Sequence, residues 1–297
     1  MGKCVALYHP GGPVRYRDVR GWTTRRHGRK FLQVSGEATH CPDTRPVNQR
    51  ELFFWGEYEA PTTQRPLNVP NGHSMGLPHS VDTILHPVPA PSRFCGNLNT
   101  DPFVFCGPFL YTNCQQLGPN NTPRKTQSLR KGDLILFGSH LGGCFVLDTC
   151  LVVSVGTALA SYQKQIKSGS VFDLVTNRLI HGLPVTVFEG ATWSENNPFS
   201  FVPCWNSLNG GQGHPRPVLV PKGALSGVIT PKKTQGIKGL HINHLTVQPI
   251  FNEVVKQVLS QGCLLGTYID HPQCGTSSGT HAQDKAHGQP SRRGRVC

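Results

Sequence analysis

The fold is decided by two apolar runs, Lys131-Gly132-Asp133-Leu134-Ile135-Leu136-Phe137-Gly138-Ser139 and Cys144-Phe145-Val146-Leu147-Asp148-Thr149-Cys150-Leu151-Val152-Val153. Both runs are rich in the branched and aromatic residues that favour strands, and only His140-Leu141-Gly142-Gly143 separates them. They are therefore predicted to be adjacent antiparallel strands joined by a glycine turn. The stretch around them, residues 99–190, is predicted to be the central β core.

Outward from this hairpin, shorter apolar segments predict further strands and one helix. The predicted strands are Cys4–Tyr8, Phe31–Val34, Leu52–Glu59 and Val185–Phe188. Between Pro249 and Gln261 the apolar residues recur with helical spacing, and Gly262 offers a C-terminal stop. Residues 60–98 are rich in proline, which disfavours long regular elements, so they are predicted to be an extended loop laid over the sheet, with a linker as the alternative.

These segments predict an α+β fold with a bent, mostly antiparallel β-sheet or partly open barrel. The 33 glycines and 25 prolines add long loops, and the helices are expected at the periphery. Residues 1–274 are predicted to form a single globular domain. Residues 275–297 are small, polar and basic, and are predicted to be a disordered tail.

The charge of the chain indicates a polyanionic partner. Its formal net charge is +13, and residues 1–50 and 201–297 each carry ten Lys/Arg against three acids. Lysine and arginine neutralise phosphates, so nucleic acid is the predicted partner, and a merely soluble basic protein is the alternative. The predicted phosphate contacts are Arg25, Arg26, Arg29, Lys30, Arg124 and Lys125.

The cysteines indicate reduced thiols, not disulfides or a metal site. There are 11 of them, an odd number at irregular spacing, and no CxxC occurs. Because no signal peptide and no apolar run long enough to span a membrane is found, we expect a cytoplasmic protein without membrane contact. No metal and no cofactor is predicted.

Polar and aromatic residues after a proline turn predict a small-ligand pocket. Asn99-Thr100-Asp101-Pro102 is a turn signature that would place a carboxylate at the entrance to a strand. Amides can read a base edge, and aromatic rings can stack on a base. The alternative interpretations are that Asp101 only caps the turn and that the aromatic rings belong to the core. The predicted base pocket is Phe109, Tyr111, Asn113, Gln115, Gln116 and Trp55.

Two further carboxylates, Glu57 and Glu59, lie two positions apart on a predicted strand and therefore share a face. They are interpreted equally as catalytic or base-reading groups and as a solvated face. Asp133 and Asp148 are interpreted as turn and strand-end residues. A metal-dependent nuclease is disfavoured because the acids are scattered.

The run Lys131–Ser139, followed by Phe145-Val146-Leu147-Asp148-Thr149, resembles the glycine-aspartate-hydrophobic-phenylalanine strand of PUA-like barrels, which include the ASCH, EVE and YTH groups. It is also similar to the nucleotide-modification-associated domains found beside phage DNA-modification and defence genes. The resemblance implies a small bent barrel whose pocket accepts a flipped or modified base.

The chain is about twice as long as most PUA-like readers, which suggests activity beyond recognition. The resemblance therefore implies a prokaryotic anti-phage DNA glycosylase that flips and excises a modified base, such as a hypermodified cytosine. Such an enzyme needs one well-placed carboxylate, for which Asp101 is the first candidate and Glu57 and Glu59 are the second. The alternative is a non-catalytic reader of modified bases, which needs the aromatic rings and amides but no essential carboxylate.

Overall fold

The structure is a computed structural model. It describes residues 2–9, 29–58, 62–66, 83–87, 100–141, 144–206, 217–221, 225, 227–229, 236–242 and 244–270. Arg25, Arg26, Glu59 and the predicted tail at 275–297 lie outside these residues.

Strands dominate the described chain, and helices are few, which confirms the prediction of a β-rich α+β fold. The strands are β1 (Gly2–His9), β2 (Arg29–Thr39), β3 (Val47–Glu57), β4 (Thr62–Pro66), β5 (Thr83–Pro87), β6 (Leu110–Tyr111), β7 (Leu134–Leu141), β8 (Cys144–Ala158), β9 (Thr186–Gly190), β10 (Val202–Asn206), β11 (Val218–Val220), β12 (Gly236–Ile242) and β13 (Leu264–Ile269). The α-helices are α1 (Leu159–Tyr162), α2 (Arg178–Ile180) and α3 (His244–Ser260).

The first sheet has seven strands and contains the predicted hairpin. Its order is β12-β1-β7-β8-β9-β6, and β11 pairs with β8 beside this path. The antiparallel pairing of β7 with β8 confirms the hairpin, with Leu134 opposite Val152. β1 lies between β12, to which it is antiparallel, and β7, to which it is parallel.

The second sheet closes on itself as a four-stranded barrel. β13 pairs with β10, β10 with β3, and β3 with β2, and β2 pairs again with β13. β5 joins this barrel through a parallel pairing with β2, and β4 pairs with β5. The run that resembles PUA-like barrels lies in β7 and β8, and so in the seven-stranded sheet and not in the closed barrel.

Alternation along β1 shows how the layers stack. Val5 and Leu7 belong to one buried apolar cluster, which includes barrel residues such as Leu32 and Phe54. Cys4, Ala6 and Tyr8 belong to a second cluster, which includes the buried face of α3. Because successive strand residues point to opposite faces, the barrel packs on one face of the seven-stranded sheet and α3 packs on the other.

Helix α3 confirms the helix that was expected near Pro249–Gln261, but it begins five residues earlier, at His244. Pro249 therefore lies inside the helix, and the predicted N-terminal boundary of the helix was wrong. Gly262 follows the helix at φ +79°, the left-handed conformation that suits a C-terminal stop. None of the helices in the described ranges is long and apolar enough to cross a membrane.

A β-bulge interrupts the pairing of β7 with β8 at Asp148. Phe137 is opposite Thr149 and Gly138 is opposite Leu147, so Asp148 is the extra residue on β8. Gly138 permits this close approach, because a Cβ there would lie 2.1 Å from the carbonyl oxygen of Val146. Bulges reorient side chains, and this one places a carboxylate in the interior of an apolar strand.

Two sequence expectations were incomplete. Within residues 60–98 the structure describes two five-residue strands, β4 and β5, instead of a loop alone. The core also reaches well beyond residues 99–190, because β1, β2 and β3 supply many of its apolar side chains. Extended segments in these three strands were foreseen, but their contribution to one interior was not.

Candidate functional site

Four ionisable side chains from four strands meet between the seven-stranded sheet and the barrel. We name them the buried charged cluster: His9, Arg29, Glu57 and Asp148. His9 ends β1, Arg29 begins β2, Glu57 ends β3, and Asp148 lies at the bulge of β8. All four are between 1% and 6% exposed.

Hydrogen bonds and ion pairs connect the buried charged cluster. Nδ1 of His9 donates to Oε2 of Glu57. Nε of Arg29 donates to Oδ2 of Asp148 at 2.6 Å, and its Nη2 lies 3.6 Å from Oε2 of Glu57. Arg29 thus links a carboxylate of the first sheet to a carboxylate of the barrel, and Glu57 is its neighbour across the β2–β3 ladder.

The electrostatics of the cluster are dominated by the burial of its charges. Burial raises the pKa of Asp148 to about 6, although Arg29 and His9 lower it. Burial would lower the pKa of Arg29, but the charges of Asp148 and Glu57 outweigh it and the net direction is upward. Oδ1 of Asp148 is buried and has no hydrogen-bond partner within the described part of the chain.

Burying four ionisable side chains destabilises a fold unless their charges are well paired. Removing charges from water costs several kcal/mol each, and an ion pair recovers this only with excellent geometry. Buried groups with shifted pKa values concentrate at functional sites, because catalysis requires tuned acids and bases. The buried charged cluster is therefore the strongest candidate for chemistry among the described residues.

Asp101 occupies a different setting, a cradle of backbone amides. Oδ1 accepts from the backbone nitrogen of Thr112 at 2.8 Å and from its hydroxyl at 3.2 Å. Oδ2 accepts from the backbone nitrogens of Asn113 at 3.0 Å and of Cys114 at 2.7 Å. Asp101 is fully buried. Both of its oxygens are occupied in bracing the turn at residues 112–114.

The pKa of Asp101 lies above its ordinary value. Burial is the main cause, and it is opposed by the backbone donors of Cys114, Thr112 and Asn113 and by the nearby His9. Asp101 is thus an electrostatic neighbour of the buried charged cluster, although it is not bonded to it. Of the two predicted catalytic carboxylates, Glu57 has an acid–base partner and Asp101 has structural partners.

We expect Asp101→Ala to lower the free energy of unfolding by about 3 kcal/mol, because three backbone N–H groups would lose their acceptor inside the protein. Asp101→Asn should cost about 2 kcal/mol, since its amide nitrogen would face an N–H donor. Urea denaturation measures both. Asp173→Asn is the matched control, because Asp173 also accepts a backbone N–H, from Gly169, but is only half-buried. A loss no larger than that of this control would contradict the bracing role.

The amide side chains of the predicted base pocket are largely committed to the protein. The Gln116 side chain donates to the carbonyl oxygen of Thr186 at 2.7 Å and accepts from its nitrogen at 2.9 Å. Gln115 adopts φ +63° and accepts from Nη1 of Arg124. Residues 113–116 form a turn, in which the backbone nitrogen of Gln116 donates to the carbonyl oxygen of Asn113 at 2.9 Å.

The predicted aromatic rings lie in the interior. Phe109 is buried, and Tyr111 is stacked on Phe188 with its ring centroid 5.7 Å away. The hydroxyl of Tyr111 donates to the carbonyl oxygen of Cys114 at 2.6 Å. Trp55 is buried against Phe31, and its Nε1 has no hydrogen-bond partner in the described ranges. Phe109 and Tyr111 thus follow the core alternative of the sequence analysis.

The basic residues predicted to contact phosphates differ in burial, which the sequence alone does not show. Arg29, interpreted as a phosphate contact, is 1% exposed, so that assignment is corrected: its guanidinium pairs with Asp148 and Glu57. Arg124 and Lys125 are exposed on the loop before β7, as a phosphate contact requires. Lys30 lies in β2, next to Arg29.

Sequence reasoning missed His9 and set Asp148 aside. The available signal for Asp148 was a lone acid inside a long apolar strand, which is unusual unless the acid is paired. No pattern along the chain distinguishes His9. Asp133, also set aside, has the expected turn role: it accepts from the backbone nitrogens of Lys3 at 2.7 Å and Arg130 at 2.8 Å.

Comparisons of the chain with known protein families, with curated proteins and with solved structures found no match.

Proposed function

We propose that this protein is a DNA N-glycosylase that flips a modified base out of the duplex and excises it. The observation that carries the proposal is the hydrogen bond between His9 and Glu57 inside a cluster of four buried ionisable groups. Hydrolysis of an N-glycosidic bond needs one carboxylate that activates water or stabilises the positive charge on the sugar. Glu57 takes this role.

The other members of the buried charged cluster hold Glu57 in place. His9 fixes one carboxylate oxygen through Nδ1, and Arg29 supplies positive charge at 3.6 Å from the same oxygen. Asp148 orients Arg29 through the 2.6 Å bond to Nε. Such a fixed, low-dielectric setting is what electrostatic preorganisation of a catalytic group requires. Oδ1 of Asp148 adds a buried acceptor that a ligand donor can satisfy.

The proposal of a nucleic-acid partner is based on the charge of the chain. The net charge of +13 is concentrated in the two ends of the chain, and Arg124 and Lys125 are exposed on one loop. Basic side chains neutralise DNA phosphates without reading sequence. The choice of a modified base follows from the resemblance of the Lys131–Ser139 run to PUA-like barrels and to nucleotide-modification-associated domains, and it remains part of the proposal.

Incubation of the protein with phage DNA containing hypermodified cytosine, and with the same DNA unmodified, tests this function. We expect abasic sites, detected by an aldehyde-reactive probe, in the modified DNA alone, because a glycosylase of this kind must select the base that it flips out of the duplex. Equal signal from both DNAs would contradict selection for a modified base.

The rival function, a non-catalytic reader, is decided by the same experiment together with a binding measurement. Tight, salt-dependent binding of modified DNA without abasic sites would replace the glycosylase by the reader. Absence of both binding and excision would reject nucleic acid as the partner.

A further inference from the structure

The loop before β7 carries two exposed basic pairs, Arg124-Lys125 and Arg130-Lys131, and no exposed acid. Residues 102–132 contain no aspartate or glutamate. None of the four basic side chains forms an ion pair with an acid in the described part of the chain. The next acid along the sequence, Asp133, is buried and accepts from the backbone nitrogens of Lys3 and Arg130. The positive charge of this loop is therefore directed to solvent.

Hydrogen bonds and burial fix the backbone between the two basic pairs. The hydroxyl of Thr126, which is buried, donates to the carbonyl oxygen of Gln115 at 2.6 Å. The side chain of Gln127 donates to the carbonyl oxygen of Pro184 at 2.8 Å. Leu129 is buried as well. The backbone that carries the basic side chains therefore needs little ordering when a partner binds, which favours affinity.

The two basic pairs lie close together. The 3₁₀ turn Lys125–Ser128 leads from one pair towards the other, and at about 2 Å per residue it spans only about 6 Å. Only Leu129 stands between the end of this turn and Arg130. The separation of the pairs is thus on the order of the Debye length, about 8 Å at physiological ionic strength, so an approaching anion experiences the four charges together.

The chemistry of this surface matches a row of phosphates better than a protein partner. Duplex DNA presents one negative charge per about 1.7 Å of its axis, so several phosphates can meet one patch. Arginine forks donate two hydrogen bonds to a phosphate, and lysine adds a mobile point charge. The large apolar residue of this segment, Leu129, is buried, so the surface lacks the apolar anchors on which protein interfaces depend.

We infer that the exposed face of this loop binds the phosphate backbone of duplex DNA through Arg124, Lys125, Arg130 and Lys131. Arg130 and Lys131 thereby join the two phosphate contacts that the sequence predicted on this loop. The inference rests on the nucleic-acid partner proposed above, but not on base excision. It places a phosphate-binding surface in the middle of the chain, outside the two basic ends.

The salt dependence of DNA binding tests this surface. Each phosphate contact adds about 0.9 to the slope of log affinity against log salt concentration. The loop variant, in which all four basic residues are replaced by glutamine, should therefore lose about 3–4 from the wild-type slope. Fluorescence anisotropy with a short unmodified duplex at increasing sodium chloride concentration measures the slope. Unmodified DNA is used because it is not a substrate of the proposed excision.

A matched control variant separates the charge of the loop from the charge of the protein. It replaces two arginines and two lysines that are exposed elsewhere by glutamine: Arg45, Arg50, Lys164 and Lys167. It removes the same net charge and should lose less than about 1 from the slope.

A double variant, Lys125→Gln with Lys131→Gln, breaks no side-chain hydrogen bond within the described residues and should lose about 2 from the slope. Urea denaturation shows whether each variant is folded. A loop variant that loses no more slope than the matched control would overturn the inference and leave the nucleic-acid partner in place. A wild-type protein without salt-dependent DNA binding would overturn both. The expected slopes without abasic sites in modified DNA would support this surface and reject the glycosylase alone.

Discussion

Glu57→Gln should lower the rate of base excision by about 10²- to 10⁴-fold while leaving DNA binding largely intact. This substitution keeps the shape of the side chain and removes the charge that activates water or stabilises the sugar cation, and general acid–base groups contribute about this much. Excision is measured under single-turnover conditions with modified DNA, and binding is measured separately by fluorescence anisotropy.

Glu51→Gln is the matched control for Glu57→Gln. Glu51 lies on the same strand, β3, where its side chain accepts from Gln33, and it is outside the buried charged cluster. Its loss should leave excision unchanged. If a folded Glu57→Gln protein retained the wild-type rate, the cluster would be a structural feature and the catalytic carboxylate would lie elsewhere.

Arg29→Met should lower the free energy of unfolding by about 3–5 kcal/mol, the usual effect of removing one partner of a buried ion pair. Methionine fills much of the volume of arginine but leaves Asp148 and Glu57 without their shared cation. The protein must then hold uncompensated carboxylates in its interior or protonate them. Urea denaturation followed by circular dichroism measures the loss.

Two further proteins, a control variant and a double variant, test this interpretation. Arg50→Met changes an exposed arginine on β3 and should alter stability by less than about 0.5 kcal/mol. The double change Arg29→Met with Asp148→Leu removes both charges of the 2.6 Å pair and should recover part of the loss. A loss below about 1 kcal/mol in Arg29→Met would show that the pair is solvated.

Local patterns predicted the local parts of the fold. The hairpin of β7 and β8 was evident because two strand-forming runs flank a short glycine turn, and pairing over so short a distance needs no other information. α3 was evident because its apolar residues repeat with helical spacing. Its beginning was missed because Pro249 was taken as a boundary, although the chain is helical on both sides of it.

The long-range parts could not be read from the chain. Closure of the barrel depends on β13 pairing with both β10 and β2, and nothing within any of these segments encodes that choice of partner. The bulge at Asp148 depends on register with Gly138, which pattern alone does not supply.

The candidate site, too, could be predicted from the sequence only in part. Asp101 and Glu57 were found as carboxylates near strands, but their partners were not, because Asp101 meets Thr112–Cys114 and Glu57 meets His9 only after folding. Arg29 was assigned to the surface because it lies in a basic stretch. Composition does not reveal that one arginine of such a stretch turns inward to face two acids.

The pairing of β1 has a consequence for synthesis on the ribosome. Cys4 is opposite Leu134 on one side and Leu240 on the other, so the first strand emerges long before either neighbour exists. The barrel likewise cannot close until β13, Leu264–Ile269, has been made. A nascent chain of this protein therefore carries open strand edges until β12 and β13 have been made, the condition in which aggregation competes with folding. Its yield in a cell should depend on chaperones that shield those edges until β12 and β13 are made.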